Sequence, residues 1–108
     1  MTVYVHRNLS WQDGLGFSIL DRDMRLQDRA RYVVLTDCTF VVHDTDQHVH
    51  AFVKGTLTTT ADTVDLPDGL TPVVYNPNDD RGFRTTDDDQ EIWGAPTVWF
   101  GAGQAYVR

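Results

Sequence analysis

Cysteine, lysine, glutamate and serine are all scarce in this chain of 108 residues: Cys38, Lys54 and Glu91 are single occurrences, and Ser10 and Ser18 are the only serines. One cysteine excludes an intrachain disulfide and a cysteine-built zinc site, so stability rests on packing, with or without a partner chain. No run approaches the roughly 18 apolar residues of a membrane span. The opening Met-Thr-Val-Tyr-Val-His-Arg also lacks the charged-then-apolar pattern of a signal peptide. A cytoplasmic product with no membrane partner is expected. Cys38 sits in an apolar strand pattern, where a thiol stays protonated, and neither serine lies in a nucleophile elbow, which argues against nucleophilic catalysis. Gly14-Leu15-Gly16 lacks the third glycine and the following helix of a dinucleotide fingerprint, and Gly101-Ala102-Gly103 closes a hairpin, so no nucleotide cofactor is expected.

The apolar fraction of 41% with 11% aromatic is that of a folded domain, and a chain of this length holds one hydrophobic core. A single β domain over residues 1–108 is expected. Net charge is −7, and it is unevenly spread: residues 1–34 carry five Arg against four Asp, while residues 35–108 carry one Lys and three Arg against eleven Asp and one Glu. Such a chain repels nucleic-acid phosphates, which are normally bound by clustered Lys and Arg, so direct nucleic-acid binding is not expected.

Alternation and β-branched residues dominate. Thr2–His6, Phe17–Leu20, Tyr32–Thr36, Cys38–His43, Pro72–Tyr75, Pro96–Phe100 and Gln104–Arg108 read as strands, separated by turn signals at Asp13-Gly14, Asp21-Arg22-Asp23 and Pro67-Asp68-Gly69. Residues 24–31 fit a short helix and a strand about equally. The clearest unit is a hairpin in which Asp44-Thr45-Asp46-Gln47 forms a four-residue loop between strands 38–43 and 48–58. Symmetric closure pairs His43 with His48 and Val42 with Val49. One face then carries Cys38, Phe40, Val42, Val49, Ala51 and Val53, the predicted core face; the other carries Val41, His43, His48, His50, Phe52 and Lys54. The predicted architecture is mostly β: a compact antiparallel barrel or sandwich of seven to nine short strands with little helix.

Three constellations are candidates for function. His43, His48 and His50 converge on one hairpin face, and imidazole with a carboxylate suits a divalent metal, although the same residues equally decorate an exposed sheet face. No cofactor is expected otherwise. Asp79, Asp80, Asp87, Asp88, Asp89 and Glu91 form an acidic region broken by Arg81 and Arg84. It reads as a solvated loop, as a surface that docks a basic protein partner, or as a calcium site; the last lacks the alternating ligand spacing of an EF-hand. Trp93, beside Gly94 and the acidic run, is the candidate anchor for a partner or a neighbouring subunit, while most other aromatics belong to the core.

The runs Val3-Tyr4-Val5-His6-Arg7-Asn8-Leu9, Val33-Val34-Leu35-Thr36-Asp37-Cys38-Thr39-Phe40-Val41-Val42, Val49-His50-Ala51-Phe52-Val53-Lys54-Gly55 and Val74-Tyr75-Asn76-Pro77 resemble a set of small uncharacterised bacteriophage-encoded proteins. The chain departs from their pattern in carrying Asp44-Thr45-Asp46-Gln47 where a basic stretch precedes Val49-His50-Ala51. The resemblance implies a phage origin and no particular activity. The expected function is therefore binding without catalysis: a phage protein in the host cytoplasm that engages a host or phage macromolecule through its acidic surface. The alternatives are a self-assembling virion component and a metal-binding protein or enzyme built on His43, His48 and His50.

Overall fold

The computed structural model describes residues 1–7, 17–23, 25, 32–45, 48–61, 65–75, 81–101 and 103–108, with the side chains of Arg7, 43–45 and 48–50 outside that description. Nine strands form: β1 (Thr2–Arg7), β2 (Phe17–Asp21), β3 (Tyr32–Thr45), β4 (His48–Ala61), β5 (Thr71–Val74), β6 (Phe83–Thr85), β7 (Glu91–Ile92), β8 (Val98–Gly101) and β9 (Gln104–Val107). All pair antiparallel in one sheet of order β2-β1-β4-β3-β8-β9-β5-β6-β7. The expected mostly β architecture is borne out, as an open sheet curled into a barrel-like or sandwich-like globule. Among the described residues there is no helix, and so none long and apolar enough to cross a membrane.

Alternation sets the core. β2 buries Phe17, Ile19 and Asp21 while Ser18 and Leu20 are half-buried, and β9 buries Ala105 and Val107 in the same rhythm. Val3, Val5, Val33, Leu35, Val53, Val73, Val98 and Phe100 complete the interior. Curling brings the two arms of the sheet together through aromatics. Phe17 lies near Tyr75 (6.3 Å between ring centroids) and packs edge-on against Phe100 (5.0 Å), and Tyr75 meets both Phe40 (5.7 Å) and Phe83 (5.6 Å) edge-on.

Two of the strands are long, fourteen residues each, and not short as expected. The runs 32–36 and 38–43 are one strand, continued through a bulge: Thr36 pairs with Thr56 and Thr39 with Lys54, so Asp37 and Cys38 together face Gly55. Asp37 takes φ 53°, a left-handed conformation that aspartate tolerates better than most residues. Gly55 is required by space: a Cβ there would meet the Leu35 Cβ at 3.0 Å and the Cys38 Sγ at 3.1 Å. A second irregularity leaves Thr58 of β4 unpaired, and its hydroxyl donates to the Val34 carbonyl at 3.0 Å.

The hairpin register differs by two positions from the expected one. His43 pairs with His50, Val42 with Ala51 and Thr45 with His48, so only two residues separate the strands. Extending the ladder through Asp44 and Thr45 adds main-chain hydrogen bonds, and a two-residue connection matches the strand twist better than a four-residue one. A slip of two keeps every residue on its own face. The predicted core face is correct at Cys38, Ala51 and Val53, but Val42 is 39% exposed, because β3 runs on past the end of the strands that cover it. The opposite face is not bare either. Phe52 is buried there, with His6 4.9 Å and Tyr4 6.4 Å away between ring centroids.

The acidic region between Asp79 and Glu91, one reading of which is a solvated loop, contains β6 and the start of β7, with Phe83 buried in the aromatic core. The turns expected at Asp21-Arg22-Asp23 and Pro67-Asp68-Gly69 are present: the Asp21 carboxylate accepts from the Asp23 and Arg25 amides, and Gly69 takes φ 80°. The terminal hairpin also forms, with Gly101 paired to Gln104. Asp13-Gly14, Gly14-Leu15-Gly16, Trp11 and the ambiguous segment 24–31, Arg25 apart, lie outside the described residues.

Candidate functional site

A cleft of about 450 Å³ opens between β3 and the segment that leaves β7, lined chiefly by Phe40, Val42, Phe83, Ile92, Trp93 and Pro96. Its size lies within the range of ordinary binding pockets. Local chain geometry creates it. The Cys38 amide donates to the Pro96 carbonyl at 3.0 Å, which holds the chain before β8 against the β3 bulge. Upstream, Gly94 at φ 90° turns the backbone away, and β3 and residues 92–94 diverge. Gly82, at φ 76°, sets the matching bend before β6, so that Phe83 enters the core.

Trp93 stands on the rim, 78% exposed, and together with Val42 and Met1 it makes up the exposed large hydrophobics among the described residues. It belongs to no ring pair with another described aromatic. A solvent-facing tryptophan beside a half-buried apolar floor is the composition of a protein-docking patch, where Trp is enriched among residues that dominate binding energy. Trp93 and Val42 are far apart in sequence and line one cleft only through the curl of the sheet.

None of the predicted acidic residues that are described lines this cleft, although Glu91 directly precedes the lining residue Ile92 in β7. Asp87, Asp88 and Asp89 form the exposed turn of the β6–β7 hairpin and Glu91 is exposed on β7. Two of the carboxylates serve the turn itself. Asp88 takes a hydrogen bond from the Thr85 hydroxyl, which in turn accepts from the Gln90 amide at 3.0 Å. Asp89, at φ 55°, pairs with Arg84 at 3.1 Å, and the mostly buried Arg84 has its Nε without a partner. Asp87 and Glu91 carry no ion pair among the described residues, and their charge is open to a partner. Asp79 and Asp80 lie outside the described residues.

The histidine constellation is placed only in backbone: His43 opposite His50, and His48 two pairs further on, opposite Thr45. Their side chains lie outside the described residues, among which no three His, Cys, Asp or Glu side chains gather as metal ligands. Cys38 lies on the inner wall of the cleft, 1% exposed, with its thiol 3.5 Å from the Leu35 carbonyl. Burial pushes its pKa up to about 12, as expected of an inert thiol.

A family model described as Mycobacterium phage L5 gene 82 protein matches residues 1–108. No curated protein and no solved structure matches the chain.

Proposed function

The chain belongs to the Mycobacterium phage L5 gene 82 protein family, and from that premise we propose that it is a non-enzymatic binding protein that engages a basic protein surface of the phage or its mycobacterial host. The observation that carries this reading is Trp93, 78% exposed on the rim of an apolar cleft. The core already contains Tyr75, Phe83 and Phe100, so exposing a further large aromatic costs solubility with no gain in folding. Asp87 and Glu91 supply the electrostatic part. On a chain of net charge −7 they attract Lys/Arg-rich surfaces and repel acidic ones. The host cytoplasm is the place of action on this reading.

The test is affinity capture from mycobacterial lysate at low and high salt, comparing the tagged chain with its Trp93→Ala variant. A stoichiometric protein held by the parent, released by salt and not held by the variant supports the proposal. Equal capture by both proteins, or capture of bait alone, contradicts it.

A second reading, self-assembly into a virion component, draws on β2 and β7, which end the sheet among the described residues. Sedimentation velocity over a range of concentrations separates the two: binding to another protein leaves the isolated chain monomeric, whereas self-assembly makes its sedimentation concentration-dependent.

A further inference from the structure

We propose that the cleft receives an extended, basic segment of the partner as an added strand along the outer edge of β3, an inference that rests on the binding reading above. β3 has β4 beside it along its length, but β8 covers its other side only from Tyr32 to Leu35. The Cys38 amide bond to Pro96 is the last contact of that kind. Beyond it, among the described residues, no strand pairs with Thr39–Thr45 on this side.

Main-chain groups alternate in direction along a strand with a period of two. The Cys38 N–H points toward Pro96, so the N–H and C=O groups of Phe40 and Val42 point the same way, into the wedge between β3 and residues 92–94. Such edge donors and acceptors are what strand addition uses, with pockets reading alternate side chains of the incoming segment. Phe83, Ile92 and Trp93 supply those pockets.

Charge selects the occupant. Neither carboxylate lines the wedge, but exposed Asp37 directly precedes Cys38 at its closed end and exposed Glu91 directly precedes Ile92 on the opposite side. A segment alternating apolar residues with Arg or Lys sets its apolar side against the cleft and its cations toward these carboxylates. A second copy of the chain brings the same net charge of −7 and the same carboxylates, and is disfavoured.

The test titrates the ¹⁵N-labelled full chain with a blocked peptide of about ten alternating Val and Arg residues. Two counterparts are N-methylated, one on every Val and one on every Arg. The unmodified peptide is expected to shift the Phe40 and Val42 amide resonances, and one of the two methylated peptides to bind about tenfold more weakly or worse, since methylation removes the donors facing β3. If both methylated peptides bind like the parent, strand addition is overturned while docking through Trp93 stands. If no peptide binds although a partner is captured from lysate, strand addition again falls alone. Absence of both peptide binding and capture overturns the two readings together.

Discussion

The Tyr75 hydroxyl donates a hydrogen bond to the Val5 carbonyl at 3.3 Å, joining positions 70 residues apart and tying the chain after β5 to the inside of β1. Both residues are about 1% exposed. This contact bridges the two arms of an open sheet, and with the Phe17, Phe40 and Phe83 rings around Tyr75 it holds the curl on which the cleft depends.

Tyr75→Phe keeps the ring packing and leaves the Val5 carbonyl without this partner. A loss of about 1 kcal/mol is expected, the net value of one buried hydrogen bond, read as a lowered urea midpoint with an unchanged slope.

Gly55→Ala places a methyl group 3.0 Å from the Leu35 Cβ and 3.1 Å from the Thr36 carbonyl oxygen, both held by the strand framework. A loss of about 1–3 kcal/mol by chemical denaturation is expected from this overpacking. A neutral substitution would show that the bulge at Asp37 and Cys38 is looser than described.

Much of this architecture is legible in the residues because alternation is a direct consequence of the pleat. Phe17/Ile19, Ala105/Val107 and Cys38/Ala51/Val53 each fall on the buried face their spacing implies. What the pattern does not carry is the joint between segments. Asp37 looks like a break between two strands, but a left-handed aspartate facing a glycine continues the strand through a bulge, and that pairing involves residues far apart in sequence. The hairpin register was open by two positions because either choice preserves the faces. Phe83 is hidden in a polar run, where a lone aromatic has no period to display. Of the site, Trp93 is visible from its polar surroundings. The cleft is not, since it exists only where β8 ceases to accompany β3 and Gly94 turns the chain away.

Alkaline pH tests the Cys38 environment. Burial raises the thiol from 9.0 to about 12, with a Val98 backbone hydrogen bond opposing and the Asp37 charge adding to the rise. The unfolded chain releases this proton from pH 9.0 upward and the native chain holds it to about 12, so the stability involved is complete below 9.0 and lost as pH climbs to about 12. Tyr32, raised from 10.0 by desolvation and by Asp65, acts in the same direction. The urea midpoint is expected to decline above pH 9.0, and in Cys38→Ala, though lower overall, to decline less steeply. Identical slopes in the two proteins would contradict the buried-thiol assignment.

Trp93→Ala is expected to change folding stability by no more than about 0.5 kcal/mol, as for an exposed residue outside any packed cluster. A loss of several kcal/mol in thermal or chemical unfolding would mean that Trp93 serves the fold.

The most direct measurement places a photo-reactive benzoylphenylalanine at position 93, and separately at exposed Asp68 as a control, and irradiates mycobacterial cells producing each protein. One discrete adduct with a different protein, formed from position 93 and absent from position 68, is the expected result. An adduct only with a second copy of the chain, or none at position 93, would contradict the claim that Trp93 and its cleft bind a partner.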